Sequence, residues 1–245
     1  MRRIPLAVPL LGLGVSGASV ALGLPACAPI SSFSRSLLSI SDHLADRSQV
    51  ALTFDDGPHA GGTPRVLDFL SEHGVKATFF LVGEQVARRP HLAAEIARRG
   101  HTIGLHGYRH RVVCRLSGRE LVEDLDKAAY VIASASGCQA TLYRPPRGVF
   151  TYRALGVVRG RGLHPVLWAA DGRDWRSRAT PASIAGRIVS GLKGGEVILL
   201  HDSDYYAAPG SWCNTLGALP HLIRHLESQG MTIVLLALPY LGALT

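Results

Sequence analysis

Two carboxylates and two imidazoles carry most of the chemistry that this sequence could perform. Asp55 and Asp56 close an apolar run in Thr53-Phe-Asp-Asp-Gly-Pro58, and His106 and His110 flank a short segment in His106-Gly-Tyr-Arg-His110. One carboxylate and two histidines can hold a divalent cation and leave positions open for water and substrate. The other carboxylate is then free to act as a base on that water. Neighbouring strand residues point to opposite sides, so both carboxylates reach one site only where the strand ends and bends, which Gly57-Pro58 allows. The i,i+4 spacing of the histidines places both rings on one side of a helical turn. His101, His164, His221 and His225 have no such company and read as ordinary core or surface histidines.

The elements that must position these residues alternate along the chain. Short apolar runs at 50–54, 77–82, 102–105, 141–143, 165–168, 197–200 and 232–236 predict seven strands. Helices fall between them. Thr63-Pro64 supplies an N-cap and a first-turn proline, with Gly74 as the stop; 92–99 ends at Gly100. Ser117-Gly-Arg-Glu120 is a capping box opening a long helix, Thr180-Pro181 caps another, and 216–228 forms the last. Such alternation predicts a mainly parallel sheet or barrel. Each polar motif follows an apolar strand, and the carboxyl ends of parallel strands gather on one face, so distant motifs can converge.

The chain has 245 residues and a net charge of +8, with lysine only at 76, 127 and 193, so its basicity is arginine. No aromatic-interleaved basic cluster accompanies the charge, and nucleic acid is not expected as a partner. Residues 1–28 combine Arg2-Arg3 with a long uncharged apolar stretch and read as a signal peptide, with lipidation at Cys27 or an uncleaved anchor as alternatives. Export to the outer face of the membrane or beyond follows, with membrane contact only through this segment. Residues 29–48 read as a Ser-rich linker, and order is expected from Gln49, giving a domain over 49–240. Cys114, Cys138 and Cys213 form no metal-binding spacing; at least one reads as a buried inert thiol, and a Cys114–Cys138 bridge is an option in an exported chain.

Five ordered motifs from about Gln49 to Leu238 resemble the polysaccharide deacetylase family, the NodB-homology domain of carbohydrate esterase family 4. The resemblance implies a distorted (β/α)7 barrel. It implies Asp55 as general base and Asp56, His106 and His110 as ligands of one divalent metal, zinc first, with cobalt or nickel also acceptable. In Arg144-Pro-Pro-Arg-Gly148 it implies that Arg144 pairs with Asp55 and that the Arg147 backbone N–H serves the oxyanion; the family has an aromatic where Arg147 stands. In Asp171-Gly-Arg-Asp-Trp175 it implies that Asp174 supports the catalytic histidine and Trp175 lines the groove. In Leu199-Leu-His-Asp202 it implies His201 as general acid and Leu199 as a wall for the acetyl methyl. Gly107 replaces the family's usual Ser or Thr after the first histidine.

The expected function is therefore removal of acetyl groups, N-acetyl first, from an amino sugar or polysaccharide such as peptidoglycan or chitin oligosaccharide, by a monomer. An O-acetyl esterase of xylan type and a deacetylase of a small glycosylated metabolite are nearer rivals. A non-haem iron oxygenase shares the two-histidine, one-carboxylate set but has no need of Asp55, Asp174 and His201. A non-catalytic carbohydrate-binding protein would be expected to lack a ligand or the base, and none is missing.

Overall fold

A computed structural model describes Arg35 and residues 38–236; the apolar leader over 1–28 lies outside the described residues. The central strands are buried on both faces, and alternate side chains enter different clusters. In β1 (Gln49–Asp55), Val50, Leu52 and Phe54 pack in the main core together with helix residues such as Val66, Leu67 and Leu222. Ala51 instead joins Leu44, Phe80, Leu142, Val166, Val197 and Leu236 in a second cluster without helical members, which fills the inside of the curled sheet. Thr53 and Asp55 share the parity of Ala51, so the inner face of β1 leads to a carboxylate.

The remaining strands are β2 (Thr78–Leu81), β3 (Thr102–Leu105), β4 (Leu142–Tyr143), β5 (His164–Pro165), β6 (Ala170–Asp171), β7 (Val197–His201) and β8 (Thr232–Ile233). They form one sheet in the order β5-β4-β3-β2-β1-β7-β6, with β8 pairing β1. Every ladder is parallel, as the alternating pattern predicts. The helices are α1 (Gly62–Glu72), α2 (Gly83–Arg88), α3 (Pro90–Arg98), α4 (Gly118–Ser136), α5 (Tyr152–Gly160), α6 (Pro181–Val189) and α7 (Ser211–Ser228). No helix of the described residues is long and apolar enough to cross a membrane.

Several local expectations change. The run at 165–168 does not form one strand; it turns between β5 and β6, and no ladder among the described residues joins those two, so the barrel is open there. Residues 41–44 bridge the opening through Ser41 to Val166 and His43 to Glu196. Leu38, Ile40 and Leu44 are buried, so this end of the Ser-rich segment is a packed strap rather than a free linker. Thr63 does not cap α1, whose N-cap is Gly61; its hydroxyl is drawn to the Asp202 carboxylate instead. The Ser117–Glu120 capping box and the Thr180 cap form as read. The three cysteines are free and exposed, which removes both the disulfide and the buried-thiol readings.

Candidate active site

Asp55 ends β1 and is 3% exposed, facing the fully buried Arg144 at the end of β4. Arg144 Nη1 donates to Asp55 Oδ1 at 2.7 Å and to Thr53 Oγ1 at 2.7 Å, while Nη2 donates to the Leu167 carbonyl at 3.0 Å. Its guanidinium also lies 4.1 Å from the Phe80 ring centroid. Burial lowers the Arg144 pKa and the Asp55 charge opposes this; arginine stays protonated in proteins regardless. A single fixed cation thus orients the Asp55 carboxylate and leaves its other oxygen towards the cleft, 3.9 Å from His106 Nε2.

Asp56 turns to the same side as Asp55 because its backbone adopts a φ of +75°, a left-handed conformation costly for a non-glycine residue. The bend required by the adjacent carboxylates is therefore made at Asp56 itself. Its Oδ1 sits 3.4 Å from His106 Nε2 and 3.3 Å from His110 Nε2. The three ligand-type atoms lie within 4.8 Å of one another. His106 Nδ1 is 2.8 Å from the Arg144 carbonyl, which fixes the ring with Nε2 facing Asp56. Asp56 Oδ1 is buried without a well-formed hydrogen bond. Burial works against its charge, yet His106, His110 and His201 together hold the carboxyl far below the usual range. An orphaned buried anion facing two imidazole nitrogens fits a divalent cation.

His106 and His110 do not share a helical turn. Residues 106–112 form a loop, bent at Gly107 with a φ of +82°. The buried Asp124 of α4 accepts from Tyr108 N at 2.7 Å and Arg109 N at 3.3 Å, so the loop brings the rings together through a side-chain clamp. The left-handed bend favours glycine at 107 over serine or threonine.

Opposite the histidine pair, His201 ends β7 directly across the β1–β7 ladder from Asp55. The fully buried Asp174 receives His201 N at 2.7 Å and lies 2.9 Å from His201 Nδ1. Thr215 Oγ1 donates to the same carboxylate at 2.8 Å. Burial disfavours the imidazolium, but Asp174, then Asp56 and Asp55, raise the His201 pKa to about 10. The Asp174 pair thus favours the imidazolium form of His201, which lines the cleft.

These groups meet in one cleft of about 170 Å³, walled by Arg147, Gly148, Trp168, Trp175, Leu199 and Tyr206. Each residue proposed from the sequence as catalytic, metal-ligating or substrate-binding lines this cleft or, as with Arg144 and Asp174, supports a residue that does. Arg147 is exposed and left-handed, with a φ of +65°. Trp175 meets the His201 ring edge-on at 5.5 Å. Four contributors escaped the sequence reading: Trp168, Tyr206, Thr215 and Asp124. Tyr206 alone had a local signal, an aromatic five residues past His201 in the loop that follows β7.

The family model for polysaccharide deacetylases matches residues 44–166. A peptidoglycan-N-acetylglucosamine deacetylase of Bacillus cereus is 33% identical over 188 residues, 76% of this chain and 84% of that protein. A chitooligosaccharide deacetylase of Azorhizobium caulinodans is 31% identical over 202 residues, 77% of this chain and 92% of that protein. The solved family 4 carbohydrate esterase of Streptomyces lividans, in complex with acetate, shares 32% identity at a TM-score of 0.70 over 79% of this chain and 95% of that chain. Sequence match and fold agree, and this chain belongs to the polysaccharide deacetylase family, a hydrolase of the NodB-homology type.

Proposed function

We propose that this protein is a metal-dependent N-deacetylase that releases acetate from acetylated amino sugars of a polysaccharide, peptidoglycan or a chitin oligosaccharide. The carrying observation is the buried, unsatisfied Asp56 carboxylate facing two imidazole nitrogens between Asp55–Arg144 and His201–Asp174. Asp56, His106 and His110 would hold the cation, with zinc the proposed metal. When bound, such a cation polarises the acetyl carbonyl and acidifies the attacking water.

The chain's own residues then supply the proton traffic. Asp55, oriented by Arg144, takes the proton of the attacking water. The Arg147 backbone N–H stabilises the developing oxyanion. His201, kept protonated by Asp174, gives its Nε2 proton to the departing amine, which leaves poorly unless protonated. Leu199 and Trp175 wall the acetyl group and the sugar. The relatives support an acetylated glycan, and the apolar leader behind Arg2-Arg3 supports export, with the enzyme acting as a monomer at the outer face of the cell membrane or beyond it.

The test is acetate release from N-acetylated oligosaccharides and peptidoglycan fragments, with chelator and then zinc added back. Activity should vanish with chelator and return with zinc. Asp55→Asn should keep stoichiometric zinc yet lose turnover by roughly 10²–10⁴-fold. Loss of zinc along with turnover would instead make Asp55 a ligand.

A further inference from the structure

The two histidines of the proposed cation site are held by different means. His106 is fixed through Nδ1 by the Arg144 carbonyl at 2.8 Å. His110 has no comparable hydrogen bond to its ring among the described residues, although a metal-ligating histidine ordinarily has one on its second nitrogen. Its ring lies flat on Tyr206 instead, with centroids 4.1 Å apart and planes 11° from parallel. Tyr206 is itself tied down. Its hydroxyl donates to Glu84 Oε1 at 2.9 Å and accepts from Gln85 Nε2 at 3.2 Å. The same stretch of α2 holds the histidine loop, since Gly83 N donates to the Gly107 carbonyl at 2.9 Å and Glu84 N to the Tyr108 carbonyl at 2.8 Å. The start of α2, the histidine loop and the loop after β7 thus close a circuit around His110.

We infer that Tyr206 is a positioning residue for His110, its anchored ring replacing the hydrogen bond that would otherwise fix the orientation of that ligand. Its hydroxyl stays protonated, because burial and the neighbouring Glu84 raise its pKa, against the effect of Gln85. The ring acts as a flat wall and takes no proton. The inference rests on the reading of Asp56, His106 and His110 as cation ligands.

Two measurements test it. The first is zinc affinity by competition with a chromophoric chelator. The second is the His110 ring signal by NMR in the metal-free full chain. Tyr206→Leu should weaken zinc binding about 10–100-fold, the usual cost of losing a group that orients a ligand. It should also leave the metal-free His110 ring averaging between orientations, with little change in melting temperature. Tyr206→Phe keeps the face but loses the hydroxyl's two anchors, and its loss should fall between wild type and the leucine variant. Should the leucine variant not fold, Tyr206→Met fills similar space without a flat face and gives the same reading. Wild-type zinc affinity and one fixed His110 orientation in the leucine or methionine variant would overturn the inference, as would equal losses in Phe and Leu. The ring measurement needs no metal, so failure of the wild-type protein to bind zinc would remove the metal reading alone.

Discussion

Arg144 and Arg147 stand three residues apart and do opposite electrostatic work. Arg144 is wholly buried, and its Nη1 and Nη2 are bonded to Asp55, Thr53 and Leu167 while Nε has no partner among the described residues. Arg147 is exposed at the cleft, with no ion pair among the described residues. Its side chain offers charge and five donors to a sugar where an aromatic would offer a stacking face. Arg147→Tyr should shift the ratio of turnover on neutral against anionic acetylated oligosaccharides towards the neutral ones, measured as relative kcat/KM. An unchanged ratio would make this side chain structural. His201→Ala should damage amide substrates more than activated acetyl esters, whose leaving groups need no proton. Equal damage to both would contradict its role as acid. The residues that bear charge at the site were legible because strands end in them: Asp55 and His201 terminate β1 and β7, and Arg144 follows β4. Thr215 was not, because a threonine inside a helix carries no sign that it points at Asp174.

At the scale of elements, loops between strands did more than their sequence announced. The i,i+4 pair suggested a helical turn, yet the rings converge through Gly107 and the Asp124 clamp, a contact from α4 that local spacing cannot contain. Thr63 looked like a cap because it precedes Pro64, but Asp202 competes for its hydroxyl. His101, set aside as an ordinary histidine, has a structural task between α3 and β3. Its Nδ1 accepts from Ala77 N at 3.1 Å, which requires the neutral ring. Burial first, then Lys76 and Arg99, lowers its pKa to about 4 from an ordinary 6.5. The sign follows: above pH 6.5 the neutral ring is free of cost in both states, and below it the unfolded chain binds the proton that the folded one refuses. Its contribution is therefore full above about 6.5 and is lost as pH falls towards 4. Denaturant midpoints measured between those values should fall with acid, and His101→Asn should flatten that slope; an identical slope in the variant would exclude His101 as its source.

Over the whole molecule, the parallel order of the sheet was legible because strands and helices alternate, whereas the opening between β5 and β6 was not. Its closure depends on residues 41–44, whose composition resembles a linker because backbone pairing, not side-chain pattern, holds much of them. The apolar residues there still count. Leu44 is 3% exposed and belongs to the cluster inside the barrel with Phe80, Val166 and Val197. Leu44→Ala should cost about 2–5 kcal/mol in urea unfolding, as a core truncation does. A loss within the range of surface changes would show the strap to be a passive cover.

The pairing of Asp55 with His201 across β1 and β7 has a mechanical consequence. The backbone separation between the base and the acid is set by the ladder itself, one interstrand step of about 4.8 Å. Backbone bonds in the interior of a sheet are the ruler, so neither side chain has to search for the other, and the distance endures for as long as the sheet does. The histidine loop has no such ruler. It is held by the Asp124 clamp, two backbone bonds to the start of α2 and a stacked ring, contacts made outside the sheet. One half of the reaction centre is thus as durable as the fold, and the other half is a fitting bolted to its rim.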